Sequence, residues 1–204
     1  METKNLKNQS DRRNFLTNCI TAGSVACFGC AALTVTAKNS QIPSLLPETG
    51  MSNEDVIRFA LGYSVPIFKK MQNEIGKEKF LEMLERISAS NTAEFITSVS
   101  KEYPEKTMKA LGEMANKFLN SPPYTDMYKY EFVENSDKVL EVKYTGCIMA
   151  KLYKEMNAAD IGYALECHPS EALGKAFNPA TKHTSRKNMM KGDDYCIERF
   201  ELPT

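Results

Sequence analysis

Tyr128-Lys129-Tyr130-Glu131-Phe132 and, beyond Asn135-Ser136-Asp137, Leu140-Glu141-Val142-Lys143-Tyr144 both alternate ring-bearing or aliphatic side chains with charged ones. Successive side chains on a strand point to opposite faces, so each run reads as a strand with one face buried, and the polar triplet between them as the turn of a hairpin. Working outward, the period on both sides is helical. Upstream, Val56, Phe59, Tyr63 and Ile67 recur at spacings of three and four, Ser52 and Asp55 form a capping pair, and Pro66 predicts a kink. Phe80, Leu84 and Ile87 continue after Gly76, Asn91 with Glu94 predicts a further helix start, and Met108, Leu111, Met114 and Phe118 make another stripe. Downstream, Ile148, Leu152 and Met156 share a stripe, Ile161 and Leu165 lead to a stop at Pro169, and 182–190 and 195–202 flank Lys191-Gly192-Asp193-Asp194 as a second hairpin. Helices, hairpin, helix, hairpin is an α+β order. It predicts an N-terminal helical layer over an antiparallel sheet of about four strands.

The chain has 204 residues, 26 Lys+Arg against 26 Asp+Glu, and 42% hydrophobic content. That suits one domain with a core of its own, and zero net charge argues against a nucleic-acid partner, whose phosphates need cations. A small-molecule substrate or ligand is the expected partner, although no Gly-rich phosphate loop is present.

The first 37 residues read as an address. Ser10-Asp11-Arg12-Arg13-Asn14-Phe15-Leu16, a weakly apolar run from Cys19 to Val35 and the small residues Val35-Thr36-Ala37 resemble a twin-arginine export signal. The resemblance implies the twin-arginine machinery as a partner and a periplasmic or cell-surface location, and it raises the prospect of a cofactor loaded before export. A lipid anchor at Cys27 or Cys30 is the alternative. Residues 38–50, with Pro43, Pro47 and Gly50, read as a linker, leaving 51–204 as the single α+β domain.

Beyond the signal, every cysteine and both histidines fall within 147–196: Cys147, Cys167, His168, His183 and Cys196. None is in a CxxC pair. Buried hydrophobes, a disulfide among the three cysteines, and a metal site are all compatible with this spacing. If the three thiolates converged, with His168 or His183 as a fourth ligand, they would suit zinc or another thiophilic divalent metal.

Cys147 at a helix start, Gly162, Cys167 with Glu171 four residues on, Phe177-Asn178-Pro179 and Gly192-Asp193-Asp194-Tyr195-Cys196, in that order, resemble the L-2-amino-thiazoline-4-carboxylic acid hydrolase family. The resemblance covers 128–200 best. It implies opening of a cyclic isothiourea ring by water to a carbamoyl-cysteine-type product. Such chemistry needs a base, an acid for the departing atom, and a cation for the substrate carboxylate. Glu171, just past Pro169, is the expected base, with an exposed or capping acid as its ordinary alternative. Cys167 is the alternative nucleophile, and Cys196 would point to the same site. Arg186 is the expected carboxylate clamp unless it is a solvated strand residue, Asn178 orients substrate or makes the turn before Pro179, and His168 is a further substrate contact. The competing function is an exported metal- or ligand-binding protein that uses Cys147, Cys167 and Cys196 without catalysis.

Overall fold

The first helix begins where the Ser52 side chain accepts a hydrogen bond from the Asp55 backbone N–H and the Asp55 carboxylate accepts from the Ser52 N–H, a reciprocal cap. Residues 52–121 and 124–203 are described in a computed structural model of the chain. The stretches expected to be an export signal and a linker, with Cys27 and Cys30, lie outside the described residues. Helix α1 (Asn53–Ile75) runs unbroken through Pro66. Gly76, at a φ of 87° that favours glycine, is the single residue joining it to α2 (Lys77–Val99). The expected second start at Asn91 is not made. Thr107 caps α3 (Met108–Leu119) by accepting from the Ala110 N–H.

Helix α1 buries a different stripe from the one its period suggests. Leu61 and Val65 are buried, with Ile57 and Phe68 packed on the same core, while Phe59 is 78% exposed and Tyr63, Ile67, Met71 and Ile75 follow it along the outer face. The helix carries two apolar stripes, and periodicity cannot choose which of them meets the core. Ile87 of α2 likewise faces out, and Phe80, Leu84, Ser88 and Ile96 face in.

The first hairpin forms as the alternation requires. Strands β1 (Tyr128–Asn135) and β2 (Val139–Cys147) pair antiparallel with Phe132 opposite Val142, and Ser136 closes the turn through hydrogen bonds with Val139. The chain then passes through α4 (Ile148–Glu155), α5 (Ala159–Gly162), a single π-helical turn (Tyr163–Cys167) and α6 (Ser170–Phe177). Strands β3 (Lys182–Lys187) and β4 (Cys196–Glu201) are antiparallel neighbours, and β4 also pairs with β2, giving the order β1-β2-β4-β3. The second hairpin is shorter than its sequence pattern. β3 ends at Lys187 because Asn188 caps a 3-10 turn, Met189–Lys191, which closes at Gly192. The α+β class and the four-stranded antiparallel sheet agree with the sequence pattern. One core cluster joins α1, α2, α4 and α5; a second lies between α3 and the sheet around Leu140, Val142 and Phe200.

Candidate active site

Residues 163–167 wind as a π turn, with His168 N–H donating to Tyr163 O at 2.9 Å. An α-helix rotates about 100° per residue, so it cannot easily turn three consecutive side chains to one space. Leu165, Glu166 and Cys167 nevertheless all line one cavity of about 530 Å³. The turn is held from two sides. Ser88 Oγ of α2 donates to Ala164 O at 2.7 Å, and a Cβ on Gly162 would sit 2.6 Å from the Tyr153 ring, so only glycine allows that approach.

The rest of the wall comes from every other layer. Helix α2 supplies Phe95 and Val99, α3 supplies Met114 and Phe118, and the inner face of the sheet supplies Tyr128, Tyr144 and Cys196. Tyr144 and Cys196 are partners in the β2–β4 register, so strand alternation puts them on the same face. Cys147 reaches the cavity as the residue that ends β2 and caps α4, its Sγ accepting from the Ala150 N–H at 3.3 Å.

Glu166 is the one lining carboxyl held in the apolar part of this cavity without a partner: among the described residues no hydrogen bond or ion pair reaches it. Burial raises its pKa from the ordinary 4.5 to about 8, so it holds its proton at neutral pH. Tyr124 is pushed to about 12, first by burial and then by the charge Glu166 would carry. The thiols are raised as well. Burial takes Cys147 to about 11 and moves Cys167 and Cys196 in the same direction, against hydrogen bonds from Asn188 to Cys167 and from the Met189 N–H to Cys196 Sγ. Glu198 also lines the cavity, but it is paired with His183 (Nε2 to Oε2, 2.5 Å) and accepts from Ser185 at 2.8 Å.

Of the residues singled out from sequence, Cys147, Cys167 and Cys196 line the cavity together. Glu171 does not: its side chain is 61% exposed and paired with Lys175, one turn along α6, which lowers its pKa. Arg186 is 58% exposed and paired with Glu141 on the outer face of the sheet, away from the cavity. His168 is exposed, with Nδ1 3.7 Å from Glu85. Asn178 makes the turn, donating to Lys106 O at 2.8 Å and accepting from the Ala180 N–H at 3.0 Å. His183 is spent on Glu198 and packs against the Phe200 ring.

The three cysteines are free thiols, so no disulfide links them. Among the described residues no group of three His, Cys, Asp or Glu side chains is gathered to hold a metal ion. The zinc set expected from Cys147, Cys167 and Cys196 is therefore not assembled. Each sulfur instead meets a separate local partner: Cys147 accepts from the Ala150 N–H, Cys196 from the Met189 N–H, and Cys167 meets Asn188.

Glu166 and Asn188 are the site residues that motif spacing missed. The one signal in the sequence that points to Glu166 is that it is the single charge within Tyr163-Ala164-Leu165-Glu166-Cys167, a run otherwise suited to the core.

A family model described as L-2-amino-thiazoline-4-carboxylic acid hydrolase matches residues 57–200, a span reaching from α1 to β4 that takes in every wall of the cavity. No curated protein matches the chain.

Proposed function

The chain belongs to the L-2-amino-thiazoline-4-carboxylic acid hydrolase family, and from that membership we propose that it is a hydrolase that opens a cyclic isothiourea or amidine ring with water. The observation that carries this reading is the unpartnered, protonated Glu166 in a largely apolar cavity whose other carboxylates, Glu102 and Glu198, are already paired with Lys117 and His183. A carboxyl whose pKa lies near the working pH can serve as acid and base in turn.

In this mechanism Glu166 passes its proton to the ring nitrogen, which draws electrons from the ring carbon between nitrogen and sulfur. The carboxylate left behind takes a proton from water as the water oxygen bonds to that carbon. The tetrahedral carbon collapses by breaking its C–S bond; the electron pair goes to sulfur together with the proton on Glu166. The hydroxyl proton returns to Glu166 as the carbonyl forms. The products are a carbamoyl group on nitrogen and a free thiol, with one water consumed.

A cysteine nucleophile is disfavoured because the thiolate, not the thiol, attacks, and all three thiols are raised in pKa. Tyr128 and Tyr144, both held protonated by burial, are available as hydrogen-bond donors to the oxygen that develops charge. The test is direct. Purified protein is mixed with 2-aminothiazoline and its 4-carboxylate, and release of thiol is followed together with the mass gain of one water. Ring-opened product is expected; its absence from every cyclic isothiourea offered would overturn the reading.

The pattern Arg12-Arg13-Asn14-Phe15-Leu16 supports export of the folded protein. Replacing both arginines by lysine, R12K with R13K, should retain it in the cytoplasm; unchanged export would exclude the twin-arginine route.

A further inference from the structure

The cavity is much larger and more apolar than a thiazoline carboxylate requires. At about 530 Å³ it falls in the range of pockets that take drug-sized ligands. A ligand carboxylate buried there would need a cation beside it. Among the described residues lining the cavity, Lys117 is the sole cation. It lies at the exposed mouth, where it pairs with Glu102 at 3.5 Å. Arg186 and Arg199, the arginines nearest the sheet, are committed to Glu141 and do not line the cavity.

The unpaired titratable side chain of the cavity is an acid instead. Glu166 has no partner among the described residues and is protonated at neutral pH; a cation seated against it would be the counter-ion its carboxylate lacks, so the proton leaves and the two form an ion pair. The rings of Tyr124 and Tyr128 lie close enough to feel the charge of Glu166, aromatic faces attract cations, and the same cavity is lined by the apolar side chains of Phe95, Met114, Phe118 and Leu173.

We infer that the cavity selects a ligand with a cationic amidinium- or isothiouronium-type head and an uncharged apolar body, the head against Glu166 and the body against α2 and α3, and that it discriminates against a free carboxylate. This deepens the hydrolase reading, on which it rests for the chemistry of the head alone. The charge and shape of the cavity carry the rest.

Titration calorimetry at pH 7 on the unaltered protein tests it with three probes: 4-phenyl-2-amino-2-thiazoline, which carries a protonatable head and an apolar body; 4-phenylthiazolidin-2-one, of the same shape with a neutral head; and 2-amino-2-thiazoline-4-carboxylate. The first should bind at least about tenfold more tightly than either of the others. In Glu166→Gln, checked for folding by its thermal melt, the preference over the neutral probe should vanish. Equal or tighter binding of the carboxylate, or no binding of any probe, overturns the inference, as does an unchanged preference in the variant. The probe comparison stands whether or not the variant folds. Product analysis of the same mixtures separates the two readings. Selective binding without ring opening keeps this inference and sinks the hydrolase, whereas preferred and productive binding of the carboxylate does the reverse.

Discussion

Glu166 and Glu171 lie on either side of Pro169, yet the first faces the cavity with its pKa raised to about 8 and the second faces solvent in an ion pair with Lys175. The π turn aims the one inward, and the outer face of α6 carries the other. The two carboxylates are thus a matched pair for assigning the acid–base role.

Glu166→Gln keeps the shape and removes the transferable proton. Ring-opening kcat should fall by about 10²–10⁴, the usual contribution of a positioned acid–base group. Glu171→Gln should leave kcat unchanged. Steady-state assays of both variants decide the matter, and a loss of activity confined to Glu171→Gln would return the role to that residue.

The raised pKa of Glu166 has a signed effect on stability. From the ordinary 4.5 to about 8 the folded protein holds a proton that the unfolded chain has released. This contribution is fully present below 4.5 and is lost as pH rises through about 8, by at most about 1.4 kcal/mol per pH unit. Denaturant melts of wild type and Glu166→Gln should show the variant gaining on the wild type across that interval. Parallel curves would remove the buried-acid assignment. Activity that depends on the same proton should decline above pH 8 in kcat/KM.

The two apolar stripes of α1 and the start of α2 give a contrast in stability. Phe80 is 0% exposed and meets Phe68 with ring centroids 6.2 Å apart, so Phe80→Ala should destabilise by about 3–5 kcal/mol. Phe59 faces solvent, and Phe59→Ser should change stability by less than about 0.5 kcal/mol. Urea titration of the pair checks the orientation of the helix, and a large loss for Phe59→Ser would reverse it.

Burial of the three thiols should also be visible in their chemistry. At pH 7.5 iodoacetamide should modify Cys147, Cys167 and Cys196 more slowly than free cysteine, with Cys196 first because its pKa is raised without reaching the levels of the other two. Peptide mass mapping over a time course reads the order. Rapid modification of Cys167 at neutral pH would reveal a thiolate there and reopen its role as nucleophile.

Some of this architecture was legible because it rests on short-range rules. The alternation Tyr128–Phe132 and Leu140–Tyr144 specifies a hairpin on its own, Ser52 and Asp55 set the start of α1 within one turn, and Pro169 marks the end of the π turn. The three cysteines share one cavity because the end of β2, the π turn and β4 converge there, and the sequence hinted at this only through their order.

What the sequence determined by itself is therefore the set of elements and their class: local hydrogen bonding, capping and side-chain period act over a few residues and need no knowledge of the rest of the chain. Which stripe of α1 is buried, the insertion of β4 between β2 and β3, and the exchange of Glu171 for Glu166 as the carboxyl of the cavity were decided by packing between distant segments. Their physical reason is common to all three. A side chain's environment, and with it the pKa of a carboxyl, depends on which surfaces meet in space, and residues adjacent in sequence can be turned toward water or toward the core by a single wide turn of helix.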